Sequence, residues 1–266
     1  MRNLFILLLI TCLLSSGVKA WGTQGHLIIA QIAFDQLSDD ALQRVHGDLK
    51  GFNQFFPQYS NPLAAASWSD MIRGFGVETF TTWHYIDLPY NPTNVTIPHE
   101  ISDVNIRWAL NQVYDTLQIP RRDTNAWTRN FMLRFLMHLA GDLHQPFHNT
   151  EYYSAEFPEG DQGGNLISVW YGWKYMSLHG FWDKAGGLYT KYYKFPLTDD
   201  DVNEIRRVAR KLIAKHSEVT VIGPNFEAWS NEVHRIAVEF GYPDVLNERN
   251  LTEDYINKTR EYSEQQ

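Results

Sequence analysis

Apolar residues recur at helical spacing along most of the chain. In one segment Phe131, Phe135, His138 and Asp142 follow each other at intervals of four, three and four residues. This spacing places the four side chains on one face of a helix. The segment is apolar on several sides, so we expect this helix to be central in the fold. Pro146 is expected to end or kink it.

The same periodicity predicts further helices, with a capping signal at Ser38-Asp39-Asp40 and a loop from Ile119 to Thr124 that ends in another cap. These helices cover Leu27 to Phe34 and its continuation past residue 40, Leu63 to Ile72, residues 101–118, Asp201 to Lys215 and Phe226 to Phe240. From Asn247 onward the chain is highly charged, which predicts a loosely attached terminal helix.

Two shorter segments have the character of extended structure. The aromatic run from Thr81 is expected to be strand-like or extended and to end at Pro89, and Ile167, Val169 and Tyr171 alternate as in a strand. The predicted fold class is therefore all-α: a mainly helical single domain with a small β-hairpin, spanning residues 21–266.

The first twenty residues have the pattern of a secretory signal peptide. Met1-Arg2 precedes a run from Leu4 to Leu14 that is apolar except for Thr11, and Val18-x-Ala20 fits a cleavage site. The apolar run is too short for a membrane span of about 20 residues. Cleavage would leave Trp21 as the N-terminus of a protein without a membrane anchor, secreted from the cell or held in a periplasm or endomembrane lumen. The alternative is an uncleaved anchor.

Cysteine content and charge narrow the possible functions. The single cysteine, Cys12, lies in the leader, so the mature chain has no disulfide, and bound metal could supply cross-links instead. Removing Arg2 and Lys19 with the leader leaves 21 basic and 31 acidic residues, a net charge of −10. That charge argues against phosphate binding by a basic surface, although bound divalent ions could still attract nucleic acid. Glycosylation sequons, which matter only in a source that glycosylates proteins, begin at Asn94, Asn250 and Asn257.

Three histidines and a carboxylate fall within the eleven residues from His138 to His148. His138 and Asp142 project together, one helical turn apart, whereas His148 lies past the break at Pro146 on a different backbone path. This arrangement suits a metal site with more than one ion. The alternative, judged from this stretch alone, is a buried polar patch with paired histidines.

Further candidate ligands are spread along the chain, and each has an ordinary structural alternative when taken singly, such as a solvated carboxylate or a core aromatic residue. They are the amine and carbonyl of Trp21, His26, Asp70, His84 and the i, i+4 pair His179 and Asp183. The loop Asp161-x-Gly163-Gly164-Asn165 either lets the backbone approach a bound group closely or is a plain hairpin loop. No metal role is expected for His46, His99, His216 or His234.

These motifs form one ordered set between Trp21 and Asp183. The set comprises Trp21-Gly-x-x-Gly-His26, Ser67-Trp68-Ser69-Asp70, Trp83-His84-Tyr85-Ile86-Asp87, His138-x-x-x-Asp142-x-His144-Gln145-Pro146-x-His148, Asp161-x-Gly163-Gly164-Asn165 and His179-x-x-Trp182-Asp183. In this order it closely resembles the zinc-dependent single-strand-preferring nucleases, the type I (S-one/P-one) nuclease family.

The resemblance implies a mostly helical fold of the phospholipase C/P-one-nuclease type, with three zinc ions at the bottom of a cleft. It also implies a ligand set for each ion. We expect the protein to be a monomer. One zinc would be held by Asp70, His84, His138 and Asp142, a second by His148, His179 and Asp183, and a third by the amine and carbonyl of Trp21, by His26 and by Asp142, which bridges to the first.

The implied reaction is endonucleolytic hydrolysis of single-stranded DNA and RNA to 5′-phosphate products, with 3′-nucleotidase activity at the same site. Paired zinc ions about 3.5–4 Å apart would activate a water as hydroxide for in-line attack on phosphorus. Asp70 would orient this water, Arg73 would neutralise charge on the phosphate, and Asn165 would hold a phosphate or the leaving oxygen. His144 would orient a carboxylate ligand.

The preference for single strands is attributed to base binding. Tyr85, beside His84, would stack on a base, a contact worth about 1–3 kcal/mol that a base inside a duplex cannot make. Asp87 would accept hydrogen bonds from the base edge. A purely structural role of Tyr85 in the core remains the alternative.

Two features depart from the family pattern. Many plant and fungal members have disulfides, which this mature chain lacks, and Ser177 stands where relatives often have Asn. The rival activities are a zinc-dependent phospholipase C, which resembles this family in fold and in its N-terminal Trp, and a non-catalytic secreted protein that binds zinc structurally. Tyr85, Asp87 and the Asp161–Asn165 loop favour the nuclease.

Overall fold

The computed structural model describes residues 21–217 and 223–266, so the predicted signal peptide lies outside the described part of the chain. The described residues are mainly helical, which confirms the predicted fold class. The α-helices are α1 (Thr23–Gln36), α2 (Asp39–Leu49), α3 (Trp68–Gly74), α4 (Ile106–Gln118), α5 (Ala126–Leu143), α6 (Leu178–Trp182), α7 (Asp199–Lys215), α8 (Phe226–Ile236), α9 (Pro243–Asn247) and α10 (Glu253–Gln265). Short 3₁₀ segments lie at Lys50–Phe52, Pro57–Tyr59, Pro62–Ser67, Thr81–His84, Arg121–Asp123 and Pro146–His148, and a π-helical segment lies at Ala237–Gly241.

Helix α5 is the central element, as its apolar pattern predicts. It contacts α1, α2, α3, α4 and α8, and Phe135, Leu139 and Leu143 are completely buried in it. The helix begins after Asn125, whose side chain accepts a hydrogen bond from the backbone N–H of Thr128 at 2.8 Å. It ends at Leu143, before the proline that was expected to stop it. Its C-terminal half therefore holds His138 and Asp142 in the middle of the protein.

The two small sheets position segments on either side of the α5 C-terminus. Strand β1 (Pro89–Tyr90) pairs in parallel with β2 (Glu151–Tyr152). Strand β3 (Ser168–Tyr171) pairs with β4 (Lys174–Ser177) in an antiparallel hairpin, as predicted, and Gly172 in its turn has a φ of +60°. A positive φ is readily adopted by glycine. Because β4 runs directly into α6, the hairpin fixes where α6 begins.

Several element boundaries differ from the sequence prediction for local reasons. The helix expected from residue 101 begins at Ile106, because the Asn105 side chain caps it by accepting from the backbone N–H groups of Arg107 and Trp108. The helix expected over residues 63–72 is divided into the 3₁₀ segment Pro62–Ser67 and α3.

The prediction that the segment from Thr81 to Leu88 is extended is wrong for its first half. Residues Thr81–His84 form a 3₁₀ turn, and the chain becomes extended only at Tyr85. Pro89 opens strand β1 rather than ending a strand, a position where its missing N–H is tolerated.

The prediction of a loosely attached C-terminal helix is also wrong. Tyr255, Ile256 and Thr259 of α10 are buried. The Tyr255 hydroxyl donates to the carbonyl of Gly241 at 2.7 Å and accepts from the indole N–H of Trp182 at 3.0 Å. The attachment of α10 is hard to predict from the sequence, because most of its residues are charged or polar and only one narrow face is apolar.

Two features of the described residues concern localisation: the hydropathy of the helices and the exposure of the glycosylation sequons. None of the helices in the described ranges is long and apolar enough to cross a membrane. Asn94, Asn250 and Asn257 are all exposed, as glycosylation would require, but glycosylation itself stays a prediction. The signal peptide, the single-domain boundary at residue 21 and the monomeric state stay predictions as well.

Candidate metal centre

Four buried imidazoles are oriented in the same way, by backbone carbonyls. In each, Nδ1 donates its proton to a carbonyl oxygen, so that in the neutral ring Nε2 is the nitrogen with the lone pair. The pairs are His84 with Phe80 at 2.9 Å, His138 with Ala66 at 2.6 Å, His148 with His84 at 2.6 Å and His179 with Gly163 at 2.7 Å. An imidazole held in this tautomer is ready to bind a metal ion through Nε2.

Asp142 lies between two of the histidines. Its Oδ1 is 3.2 Å from Nε2 of His26, and its Oδ2 is 3.2 Å from Nε2 of His138. The two rings are stacked, with centroids 3.9 Å apart. The structure therefore brings His26 and His138 to opposite oxygens of one carboxylate, which is the arrangement a bridging ligand requires.

A second group shares His138 with the first. Asp70 of α3 approaches His138 with 3.6 Å between Oδ1 and Nε2, and His84 completes a cluster of three donor atoms within 4.8 Å of one another. The buried segment of small residues that precedes α3 supplies the carbonyl of Ala66, which orients His138. Packing of α3 on α5 thus sets the position of both Asp70 and His138.

The third group joins the segment after α5 with α6. Nε2 of His148 lies 3.1 Å from Nε2 of His179, and Oδ1 of Asp183 lies 3.5 Å from Nε2 of His179. Gln145 donates from Nε2 to the same Asp183 oxygen at 2.7 Å, while its Oε1 accepts from the backbone N–H of Phe147. Because Gln145 is fixed at both ends, it holds the Asp183 carboxylate towards the histidines.

Burial and mutual charge determine the protonation of the cluster. Burial lowers the pKa of His84 to about 4 and that of His179 to about 3, so both rings are neutral at ordinary pH. His138 is different: burial opposes its protonation, but the charges of Asp142 and Asp70 raise its pKa to about 9. These two carboxylates therefore stabilise a positive charge at the position of His138.

The donor set fits zinc. The buried Nε2 atoms of His26, His84 and His138 and both carboxylate oxygens of Asp142 have no hydrogen-bond partner within the described residues. Leaving such atoms unpaired in the interior costs about 1–3 kcal/mol each, more for a charged group. Imidazole nitrogen and carboxylate oxygen are ligands typical of Zn²⁺. A divalent cation would satisfy the unpaired atoms and the excess negative charge together.

Trp21 lies at the edge of this cluster. Its side chain is buried, and the following residue, Gly22, donates from its backbone N–H to the carbonyl of Asp183 at 2.7 Å. The next helical turn fits tightly, since a Cβ at Gly25 would lie 2.9 Å from the Trp21 Cβ. The described contacts therefore fix the backbone of Trp21 beside α6, one turn before His26.

A cleft of about 370 Å³ extends from His179 over the residues predicted to bind the base. Tyr85, Asp87 and Asn165 all line it. Burial raises the pKa of Asp87 to about 6. One N–H of the Asn165 amide donates to the carbonyl of Gln162 at 2.8 Å, and its second N–H is available to a ligand. The structure thus brings three separately predicted residues to one cleft beside the metal centre.

Arg73 lies one turn after Asp70 in α3. Its Nη1 is 3.7 Å from Oδ1 of Asp70, and its side chain is largely buried. A guanidinium in this position lies near one of the predicted ligands, as a phosphate-neutralising residue would have to.

The role predicted for His144 is wrong. Its Nδ1 bonds to the carbonyl of Ala140 at 2.7 Å and its ring packs against Trp229, away from the ligand carboxylates. Gln145, one residue further, takes the carboxylate-orienting role. His144 and Gln145 are adjacent in the His-Gln-Pro-x-His motif. Sequence spacing alone cannot distinguish which of the two side chains points towards the ligands.

Comparison with known proteins identifies the family of the chain and several relatives. A family model described as S1/P1 Nuclease matches residues 21–266. Endonuclease 1 of Arabidopsis thaliana is 26% identical over 268 residues, covering 94% of this chain and 83% of that protein. Nuclease P1 of Penicillium citrinum is 28% identical over 167 residues, 61% of this chain and 57% of that protein. Nuclease S1 of Aspergillus oryzae is 25% identical over 178 residues, 65% of this chain and 56% of that protein. The chain thus spans less than two thirds of the last two relatives.

Proposed function

The chain belongs to the S1/P1 nuclease family, and from this premise we propose that it hydrolyses single-stranded DNA and RNA endonucleolytically, with three Zn²⁺ ions as cofactors. The products would carry 5′-phosphates, and 3′-nucleotides would be further substrates. Membership of this family makes the chain a nuclease that cleaves phosphodiester bonds. The remaining details are supported by the geometry of the buried centre.

One observation carries the proposal. The centre contains three imidazoles and one carboxylate with buried, unpaired atoms. In the described part of the chain, the Nε2 atoms of these imidazoles and both oxygens of the carboxylate have no hydrogen-bond partner. A buried polar network that is only half satisfied destabilises a fold, so these atoms are best explained as ligands. The residues proposed to hold zinc are Trp21, His26, Asp70, His84, His138, Asp142, His148, His179 and Asp183.

Zinc bound there would lower the pKa of a coordinated water and neutralise charge on the phosphate. The protein residues supply the rest. Asp142 would join two of the sites through its separate oxygens, and Asp70, which faces His138 at 3.6 Å, would orient the attacking water. Arg73 would pair with the non-bridging oxygens of the phosphate. The free N–H of Asn165 would hold a phosphate or the leaving 3′-oxygen.

The cleft accounts for the preference for single strands. A base entering it would stack on Tyr85 and present its edge to Asp87, and a base paired inside a duplex is not free to do so. No sequence information comes from the phosphate contacts themselves. Discrimination between strands would therefore reside in the cleft, and cleavage chemistry in the centre.

We expect the purified protein with Trp21 at its N-terminus to cleave single-stranded DNA, RNA and 3′-AMP, and to lose this activity when zinc is removed. The physical reason is electrostatic: without a divalent cation, the carboxylates that border the cleft would repel the negatively charged phosphate of the substrate. Product release can be followed by chromatography, with and without a chelator and with zinc added back.

The substrate panel should include double-stranded DNA and phosphatidylcholine. Cleavage of the lipid alone would overturn the nuclease proposal in favour of a phospholipase C, and full activity after complete removal of metal would overturn the role of zinc. Zinc binding without cleavage of any substrate would favour the non-catalytic alternative.

Base preference should change with pH through Asp87. Because burial raises its pKa to about 6, the ionised carboxylate above that pH offers two acceptors, which suit the adjacent N–H groups of guanine. The protonated acid below it offers one donor and one acceptor, which suit adenine. We expect the ratio of kcat/KM for GpG over ApA to rise about tenfold between about pH 5 and about pH 7, as a bidentate base contact is worth about 1–3 kcal/mol.

Asp87→Asn is the matched control, since its amide keeps one donor and one acceptor at every pH. Its ratio of kcat/KM values should stay near the acid-pH value of the unaltered protein throughout. An equally steep pH dependence of the ratio in Asp87→Asn would show that another group is responsible.

We further infer that the protein is a secreted monomer from which residues 1–20 are removed. Support for removal comes from the leader pattern and from the proposed use of the Trp21 amine. Sedimentation and N-terminal sequencing of the protein from its source would test the two points separately.

A further inference from the structure

Two buried carboxylates next to the centre have no part in the proposed reaction. Glu151 on β2 is 6% exposed and Asp161 in the glycine-rich loop is fully buried. Burial raises the pKa of Glu151 to about 8 and that of Asp161 to about 7, so ionised carboxylates are costly here. Within the described residues, their hydrogen bonds come from backbone N–H groups and one tyrosine hydroxyl. An arrangement that is costly in free energy and lies beside a metal centre calls for a function.

The two carboxylates form reciprocal bonds between the strand and the loop. Glu151 accepts the backbone N–H of Gln162 at 2.8 Å on Oε1 and that of Gly163 at 3.0 Å on Oε2. In the opposite direction, Asp161 accepts the N–H of Tyr152 at 3.0 Å and that of Gly164 at 2.9 Å. Glu151 thus binds the loop backbone with both of its oxygens, whereas Asp161 binds the strand with Oδ1 and its own loop with Oδ2.

These bonds fix the backbone carbonyl that orients a proposed ligand. Gly163 lies in the middle of the bonded loop, and its carbonyl oxygen accepts the Nδ1 proton of His179 at 2.7 Å. The loop has little freedom of its own: a Cβ on Gly163 would lie 2.4 Å from the carbonyl oxygen of Phe147. Displacement of this loop would therefore turn the His179 ring.

We propose that Glu151 and Asp161 are positioning residues for one zinc site, the site of His148, His179 and Asp183. The two carboxylates act without contacting a ligand atom, because they hold the Gly163 carbonyl against His179. This inference rests on the proposed function for the identity of the ion. It adds a second support to that site, at His179, beside the one that Gln145 gives at Asp183.

The test compares zinc affinities of Glu151→Gln and Asp161→Asn with those of the unaltered protein. In each variant an amide NH₂ would face a backbone N–H, so one hydrogen bond is lost and two donors are opposed. We expect one of three zinc ions to bind about 10- to 100-fold more weakly, the range for loss of a partner that orients a ligand. The other two affinities should not change. Competition with a chromogenic chelator measures all three.

The matched control is Glu156→Gln, an exposed carboxylate of the same loop, which should leave all three affinities unchanged. Glu151→Asp retains the charge but is one methylene shorter, so it should give a smaller loss than Glu151→Gln. If Glu151→Gln fails to fold, as judged by circular dichroism of the metal-free protein, Asp161→Asn and Glu151→Asp still supply the comparison.

Unchanged zinc affinities in folded variants would overturn the inference, and so would an equal weakening of all three ions, which would indicate general loss of structure. The outcomes differ from a failure of the proposed function. That failure would appear in the unaltered protein as the absence of zinc-dependent cleavage, whereas failure of the positioning role appears only as equal affinities among the variants.

Discussion

Replacing Asp142 with asparagine should remove most of the nuclease activity and two of the three proposed zinc ions. The carboxylate presents one oxygen to His26 and the other to His138, each at 3.2 Å, and asparagine keeps only one oxygen. The change also leaves two neighbouring sites without their shared negative charge. Losing one partner of a buried charge pair costs about 3–5 kcal/mol. We therefore expect kcat/KM on single-stranded DNA to fall by about 100- to 5,000-fold.

The measurement combines steady-state kinetics with zinc counted by atomic absorption. Asp115→Asn, which alters an exposed carboxylate on α4, is the control for a change of net charge. Circular dichroism establishes that the altered protein is folded. An Asp142→Asn protein that retains three zinc ions and a kcat/KM within about threefold of the original would rule out the bridging role.

A protein that retains Ala20 ahead of Trp21 should bind one zinc ion fewer and lose most of its activity. An extra residue converts the Trp21 amine into an amide, whose nitrogen lone pair is delocalised into the carbonyl and cannot bind a metal. His26 and Asp142 alone would not hold the third ion tightly. We expect kcat/KM to fall by about 100-fold or more, in line with a loss of about 3 kcal/mol of binding at the centre.

The control for this change is Trp21→Phe with a free N-terminus, which keeps the amine and alters only the buried side chain. It should keep three zinc ions even if its thermal unfolding midpoint falls. If the protein with Ala20 has the same zinc content and activity as the protein that begins at Trp21, the chelating role of the N-terminus is wrong.

The sequence predicts most of the fold because its dominant signal is local. Helical periodicity identifies α5 as central, and alternation over residues 167–171 identifies the hairpin. The errors arise where distant contacts decide. The attachment of α10 depends on Trp182, some seventy residues away along the chain. The 3₁₀ turn at Thr81–His84 is a local exception: His84 bonds to the carbonyl of Phe80 in the preceding turn, which the aromatic run does not reveal.

The candidate site follows the same division. The ordered motifs predict five of the ligands, which the structure places in neighbouring groups: His138, Asp142, His148, His179 and Asp183. It cannot tell which side chain at the end of α5 turns inwards, so His144 is misassigned and Gln145 overlooked. Asp161 stands in the loop motif and Glu151 does not, but the positioning role proposed for both is not visible in the sequence, because most of their partners are backbone N–H groups.

The attachment of α10 to α6 has a consequence for how this protein matures. Trp182, the residue before Asp183, has a buried indole that donates to the Tyr255 hydroxyl. Helix α6, which ends at Trp182, has only five residues, and so short a helix has little stability of its own. During translation, α6 lacks this support until α10 has been synthesised. The zinc site proposed around His179 and Asp183 would therefore become complete only after the C-terminal helix has been synthesised.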